Sequence, residues 1–295
     1  MLLNTLKLTI AGALLLFTST STYAQLPVDG FYPKKGDFTF APGYTYKTYD
    51  SFYVGSDLQG LDDVFPGVFG DVNTSILSLY GQYAITDRIS ATATLPYIVQ
   101  ESDVEPTTKV DGFQDLGLYV KGRIYEKAFS NSSKFNVGAA LGFSTPISDY
   151  EDGGLVSIGN QATNYDGEVI LHYESPYKVF VEATAEYSIR ENSDLDVPNA
   201  LLYSAKIGYL HQYFYAHIEL DIQDSVDGTD IGGEGFGGAP TLPETEVDYT
   251  NLNFTIYVPV YKDIIGVSAN AGLTLDGRNF SEERGVGFGL VYNGR

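Results

Sequence analysis

The stretch Thr74–Tyr97 constrains the fold most, because apolar and polar residues alternate along it. Apolar side chains hold most odd positions on both sides of a tight turn at 86–88, and small or polar side chains hold the even positions. This period of two is typical of a β-hairpin with one apolar face. Each arm is about a dozen residues long, well above the usual strand length of ~5–6. The stretch therefore predicts one hairpin of a β-barrel that crosses a membrane.

The composition fits an all-β protein with many turns. The chain of 295 residues contains 24 Tyr, 17 Phe and 32 Gly, and it has no Cys. The absence of Cys excludes a disulfide framework, a thiol nucleophile and a thiolate metal site.

The first 24 residues have the pattern of a secretory signal peptide. Lys7 precedes an apolar core at 8–17, and small residues lead to a cleavage site before Gln25. The core is too short for a membrane-spanning helix, although an uncleaved anchor is the alternative. We therefore predict a cleaved signal peptide at 1–24, a periplasmic lead-in at 25–35 and a barrel at 36–295. We expect the barrel in the outer membrane of a Gram-negative-type bacterium.

Twelve strands follow from the same alternation through the mature chain. Besides the two strands of the hairpin they include Asp37–Tyr49, which Pro42-Gly43 interrupts, Phe113–Tyr125, which has the clearest alternation, and Lys134–Pro146. Seven more lie between 165 and 293. Long and short connections alternate, which is typical of an up-and-down outer-membrane barrel with short periplasmic turns and long outer loops. The outer loops at 50–72 and 224–246 carry many acidic residues and no Lys or Arg. Such a mouth concentrates cations and repels anions.

Ionisable side chains also fall on the inward parity of several strands. The predicted lumen-lining residues are Tyr119, Lys121, Arg123, Glu168, Glu182, Glu186, Arg190, Lys206, His217, Glu219 and Asp221. Charges inside a barrel must be paired or hydrated, because unpaired buried charges are costly. Two interpretations remain open at this point. One is a hydrated lumen whose charges set solute preference; the other is a salt-bridge network that fills a closed barrel. A barrel of about twelve strands is compatible with both.

The residues do not favour an enzyme. Two of the three His, His172 and His217, have inward parity, and His211 falls in a periplasmic turn, so none suits a lipid-facing catalytic triad. Glu182 and Glu186 lie about 13 Å apart along a strand, which exceeds the ~5–9.5 Å of glycosidase carboxylate pairs. We expect no cofactor and no metal. A net charge of −21 disfavours nucleic acid as a partner.

Three segments carry a family resemblance: GQYAITDRISATATLPY, GFQDLGLYVKGRIYE and GFSTPISDYEDGGLVSIGN. They resemble outer-membrane proteins of the phenol-degradation meta-pathway type, which are related to long-chain fatty-acid transporters. The resemblance implies a barrel that passes small, often apolar or aromatic, molecules. No long plug-like segment precedes the first strand, so the lateral exit of the fatty-acid transporters is not carried over.

Two functions are therefore weighed. The first is an outer-membrane channel for passive or facilitated passage of small molecules. The second is a closed structural or surface-recognition barrel, similar to an adhesin, that transports nothing. The expected partners are outer-membrane lipid and lipopolysaccharide, the barrel-assembly machinery and a small-molecule solute.

Overall fold

The computed structural model describes residues 27–64, 70–103, 108–154 and 156–295. Twelve antiparallel strands form a closed barrel, with one further strand on the main sheet and a separate small hairpin. The strands in chain order are β1 (Phe38–Tyr49), β2 (Ser51–Val54), β3 (Asp57–Gly60), β4 (Val72–Thr86), β5 (Ile89–Ser102), β6 (Lys109–Phe113), β7 (Asp115–Ala128), β8 (Lys134–Pro146), β9 (Thr163–Glu174), β10 (Val179–Glu191), β11 (Ala200–His211), β12 (Phe214–Ser225), β13 (Asp248–Tyr261), β14 (Ile265–Arg278) and β15 (Arg284–Gly294). The short helix α1 (Leu61–Val64) and a 3-10 helix at Ala239–Glu244 lie in the outer loops.

The predicted barrel is confirmed. Each barrel strand pairs with its neighbour in sequence, and β15 closes the barrel against β1, with Phe38 opposite Gly294. The hairpin predicted at Thr74–Tyr97 is formed by β4 and β5. Their pairing begins with Val72 opposite Ser102 and ends at the turn that contains Asp87. No helix in the described ranges combines the length and the apolar character needed to cross a bilayer.

The strand β6 is absent from the sequence-based prediction. It continues β7 outward on the same side of β5, and the two are separated at Gln114. Pro96 in β5 has no N–H to donate to the ladder at this point. Gln114 instead donates its own N–H to the Pro96 carbonyl at 3.0 Å. Apolar alternation cannot reveal such an irregularity, because the strand continues on both sides of it.

The outer face of the barrel is apolar and exposed. Leu141 is 72% exposed and Ile124 is 69% exposed, values suited to contact with lipid. Exposed aromatic side chains follow both rims, as in the aromatic belts of membrane proteins. The periplasmic belt contains Phe38, Phe40, Tyr83, Tyr125, Phe129, Tyr173, Tyr177, Tyr209, Tyr213, Tyr261 and Tyr292. The outer belt contains Tyr46, Phe113, Phe143, Tyr165, Tyr187 and Tyr203.

Connection lengths agree with the prediction except at one outer loop. The periplasmic turns at 87–88, 129–133, 175–178, 212–213 and 262–264 are short, and the outer connections at 50–71, 147–162 and 226–247 are long. The outer connection at 279–283 is no longer than the periplasmic turn at 129–133, because β14 extends to Arg278. The outer loops fold back over the barrel mouth. Tyr150 and Ile158 of the loop 147–162 pack on Ile76 and Ile98 of β4 and β5.

The predicted periplasmic lead-in is wrong in its placement. The segment 28–33 lies inside the barrel, where Val28 packs against Ala140 of β8 and Ile170 of β9. We call this segment the plug. The physical reason is that the wall carries buried charges and rings that the plug satisfies, as described below, and strand alternation contains no signal for such a segment. The predicted signal peptide at 1–24 lies outside the described residues.

Candidate functional site

A chain of ionisable side chains crosses the four neighbouring strands β9 to β12 in the periplasmic half of the lumen. Antiparallel register sets Glu182 of β10, Lys206 of β11 and Glu219 of β12 side by side. The Lys206 ammonium lies 3.2 Å from Glu182 Oε1 and 3.0 Å from Glu219 Oε1. His172 Nδ1 lies 2.7 Å from Glu182 Oε2, and His217 Nε2 lies 3.4 Å from Glu219 Oε2. Alternating signs along this chain compensate for the burial of the charges.

The plug is bound by polar contacts to two parts of the inner wall, Lys121 of β7 and Glu182 of β10. The ammonium of Lys121, which is fully buried, donates to the Asp29 carbonyl, to Asp29 Oδ1 and to the Phe31 carbonyl, each at 2.6 Å. The backbone N–H of Gly30 donates to Glu182 Oε2 at 2.8 Å. The wall therefore uses one cation and one anion to hold the backbone of three consecutive residues, Asp29, Gly30 and Phe31.

Three rings of the wall form a continuous surface beside the plug, which we call the aromatic shelf. It consists of His172, Phe180 and Tyr215. Phe180 lies between the other two, with ring centroids 5.5 Å from His172 and 5.5 Å from Tyr215, and both pairs are stacked. Gly208 of β11 makes room for this arrangement, because a Cβ there would fall well inside 3.0 Å of the Phe180 ring.

Phe31 of the plug stands edge-on against the whole shelf. Its ring centroid is 4.5 Å from His172, 5.2 Å from Phe180 and 6.0 Å from Tyr215, with interplanar angles of 69°, 75° and 80°. Edge-to-face contacts at such distances are favourable because the positive edge of one ring meets the negative face of another.

The periplasmic rim supplies a second contact with the plug. The ring of Tyr32 lies beneath the Lys121 ammonium at 5.0 Å and the Arg123 guanidinium at 5.1 Å. Arg123 also binds Glu126 and donates to the Asp87 carbonyl at 3.1 Å. The plug therefore contacts the β7 wall as well as the β9–β12 wall.

A cavity of about 400 Å³ occupies the outer half of the lumen. Its lining includes Tyr119, Glu186, Arg190, Gln223 and Tyr249. Arg190 donates to Gln223 Oε1 at 2.8 Å, which leaves the guanidinium at the cavity wall. Residues of the outer loops, including those of the 3-10 helix, close much of the cavity above.

Further polar groups face the lumen near this cavity. Glu168 and Glu186 are opposite each other on β9 and β10, and Asp221 accepts a hydrogen bond from Asn253. The buried acceptor oxygens Glu168 Oε2 and Asp221 Oδ1 have no partner among the described residues. Water or a solute with donor groups is the natural partner for such oxygens.

The outer loops are joined to one another by an ion pair and a bridging amide. Arg278 at the end of β14 lies 2.6 Å from Asp230 Oδ2 and 3.2 Å from Glu246 Oε2. Hydrogen bonds from Arg278 lower the pKa of Asp230 from its ordinary value of 3.8. Asn279 exchanges hydrogen bonds with Gly55 at 2.9 and 3.0 Å, so it joins the β2–β3 turn to this cluster.

All the predicted lumen-lining residues are buried or half-buried on the inner wall. The structure brings Glu182, Lys206, Glu219 and His217 into one chain of contacts and separates Arg190 from it. Their role in transport stays a prediction. The sequence reasoning missed the aromatic shelf and its partner Phe31. Phe180 and Tyr215 are aromatic residues on otherwise polar inward faces, and this break in pattern was the available signal.

The sequence of the barrel identifies its family. The family described as the MetA-pathway of phenol degradation matches residues 51–290. The chain belongs to this family.

Solved structures support the fold of this phenol-degradation family member. The COG4313 outer membrane channel from Pseudomonas putida F1 is 17% identical, with a TM-score of 0.67, and the match covers 92% of this chain and all 100% of that one. The NanC porin is 10% identical, with a TM-score of 0.51, over 86% of this chain and 98% of that one. At these identities the likeness shows the fold alone. No protein of curated function matches the sequence.

Proposed function

We propose that this chain is an outer-membrane channel through which small molecules cross the membrane, and that the plug closes it in the state described here. The proposal is of a passive or facilitated pathway and not of an enzyme. The observation that carries it is the plug itself, which occupies the lumen through polar and aromatic contacts and not through a continuous apolar seal.

The nature of these contacts supports a plug that can leave. When the plug leaves, water can accept the hydrogen bonds that Lys121 now donates to Asp29 and Phe31. Water can also donate to Glu182 in place of the Gly30 N–H. Val28 supplies the main aliphatic contact of the plug, with Ala140 and Ile170. The strands of the wall are joined to one another by their own hydrogen-bonded ladders.

The space beyond the plug supports a pathway as well. The cavity of about 400 Å³ has charged and amide groups on its wall, and it is of the size that small-molecule sites have. A displaced plug would join this cavity to the periplasm. The acidic outer loops would favour cations and neutral molecules over anions at the mouth.

The solute class is a separate part of the proposal. The family is described by a pathway of phenol degradation, and the aromatic shelf offers rings to an apolar or aromatic molecule. We propose small apolar or aromatic molecules as the solutes. We also propose that residues 1–24 are cleaved on export, and that lipid, lipopolysaccharide and the barrel-assembly machinery are the partners of the mature chain.

Conductance in a planar bilayer tests the channel. The full chain is compared with a variant that lacks residues 27–33, and heat-modifiable migration on gels verifies that both barrels are folded. We expect small or rare unit currents from the full chain and larger, frequent ones from the variant. Glu182→Gln and Glu186→Gln in the variant should lower its preference for cations. A folded variant that stays silent would contradict the proposal and favour a closed structural barrel.

A further inference from the structure

The aromatic shelf belongs entirely to the barrel wall, whereas the ring that covers it belongs to the plug. His172, Phe180 and Tyr215 come from β9, β10 and β12, and Gly208 of β11 keeps the space for the Phe180 ring. The shelf therefore persists when the plug leaves, and its three rings would then border the lumen.

A hydrogen-bond acceptor lies beside the shelf. Glu182 is opposite His172 in the β9–β10 ladder, and its Oε2 accepts a hydrogen bond from the Gly30 N–H. Gly30 directly precedes Phe31 in the plug. The wall thus receives an aromatic ring and a nearby donor from two adjacent residues of the plug. A small molecule with the same two features has the chemistry to occupy the same place.

The fit at Gly30 is close. A Cβ on Gly30 would lie well inside 3.0 Å of the His172 side chain, so the donor is delivered by the slimmest residue available. The site is therefore shaped for a narrow linker between donor and ring, as in an aromatic molecule with a hydroxyl group on a short chain.

We propose that the aromatic shelf with Glu182 is a binding site for a small aromatic molecule that carries a hydrogen-bond donor, and that this molecule displaces Phe31 and thereby opens the plug. The proposal rests on the channel function given above and adds its regulation. A ligand that binds only when the plug has left shifts the population toward the open state. The plug then acts as an internal competitor of the ligand.

The test uses the absence of Cys from the chain. Val28→Cys places one thiol at a position that is 9% exposed when the plug is in place. The rate at which a polyethylene-glycol maleimide labels it, read as a gel shift of the folded protein in liposomes, reports plug release. The probe is 2-phenylethanol. Ethylbenzene offers the ring without the donor, and 2-cyclohexylethanol offers the donor without the aromatic ring.

We expect 2-phenylethanol to raise the labelling rate about tenfold, a coupling of ordinary size, and the two other molecules to leave it nearly unchanged. Phe180→Leu should abolish the response, whereas Phe254→Leu, at an exposed position on the outer face of β13, should preserve it. Phe31→Leu weakens the internal competitor, so half the response should come at a lower concentration of 2-phenylethanol.

Equal acceleration by all three molecules, or a response that survives Phe180→Leu, would overturn the proposal. Labelling does not depend on conductance, so the two proposals fail separately. If the folded protein is labelled as expected but carries no current after the plug is removed, the binding-site proposal stands and the channel proposal is refuted. If currents appear but labelling does not respond to the ligand, the channel proposal stands and the binding-site proposal is refuted.

Discussion

The backbone N–H of Gly30 donates to the side chain of Glu182, 152 positions later, at 2.8 Å. Glu182 is almost fully buried, and its two oxygens also contact His172 and Lys206. One carboxylate of the wall thus joins the plug to the charge chain that crosses β9 to β12. Release of the plug exposes an oxygen of this carboxylate to water and leaves its other partners in place, so opening needs no rearrangement of the wall.

Lys121→Met should open the channel. The substitution keeps an unbranched side chain of similar length and removes the three hydrogen bonds to Asp29 and Phe31. Hydrogen bonds to a charged group are each worth about 1.5–3 kcal/mol, so even one lost bond should raise the open fraction roughly tenfold or more. The measurement is the open probability in a planar bilayer.

Lys47→Met is the matched control for this prediction. Lys47 is also buried and binds Glu283 at 2.8 Å, but it lies at the outer end of β1, far from the plug. It should leave the open probability at the wild-type level. Equal effects of the two variants would mean that loss of any buried cation disturbs the barrel, and would remove the support for a specific plug contact.

Gly30→Ala should prevent the plug from taking its place. The new Cβ would meet the Cβ, Cγ and Nδ1 atoms of His172, which cannot retreat because Phe180 is stacked on the ring. We expect faster proteolysis of the N-terminal segment in the folded protein and more frequent currents. Gly122→Ala on β7 is the control, since a Cβ there meets nothing within 4 Å. Protection equal to wild type would show that the plug adapts to the methyl group.

The sequence predicted the barrel well because its wall obeys one rule. Period-two alternation separates lipid-facing from lumen-facing residues, and β10 pairs with β9 without a break in register. The alternation fails locally in β7, where a register shift between Arg123 and Tyr125 leaves both Ile124 and Tyr125 exposed. The inward placement of Glu182, Lys206 and Glu219 follows from parity alone. The contact between them does not, because it depends on the register of β10, β11 and β12.

The plug and the irregular strand β6 were beyond such reasoning for physical reasons. Residues 28–33 make their contacts with side chains more than 80 positions away, such as Lys121, and have no repeating pattern of their own. The aromatic shelf needs Gly208 beneath Phe180, a relation between two strands that no single-strand pattern contains. The outer hairpin β2–β3 was hidden for a similar reason, since it lies within a loop recognised only by its acidic composition.

Lys206→Met should destabilise the barrel more than it changes the current. Lys206 lies between Glu182 and Glu219, and its loss leaves two buried carboxylates without their shared cation. Removing one partner of a buried ion pair costs about 3–5 kcal/mol. Urea unfolding followed by gel mobility measures the loss.

A second substitution checks the cause of that loss. Glu182→Gln in the Lys206→Met background neutralises one carboxylate, so the double variant should be more stable than Lys206→Met alone. Lys127→Met, an exposed residue of β7, is the control and should be close to wild type. A double variant that is less stable than Lys206→Met would show that the carboxylate does not need its cation.

Acid should loosen the outer loops through Asp230. The hydrogen bonds of Arg278 lower the pKa of Asp230. The ion pair therefore stabilises the closed loops fully above pH 3.8, the ordinary pKa of an Asp. This stabilisation is lost as the pH falls through the lowered pKa of Asp230. The chain has no Cys of its own, so spin labels can be attached at Ser56→Cys and Glu234→Cys to measure the distance between the two outer loops. The distribution of this distance should be narrow at neutral pH and should broaden only below pH 3.8. Asp230→Asn should broaden it at every pH, while Asp227→Asn in the same loop should not. Broadening that begins well above that value, or that Asp230→Asn leaves unchanged, would assign the loop closure to another contact.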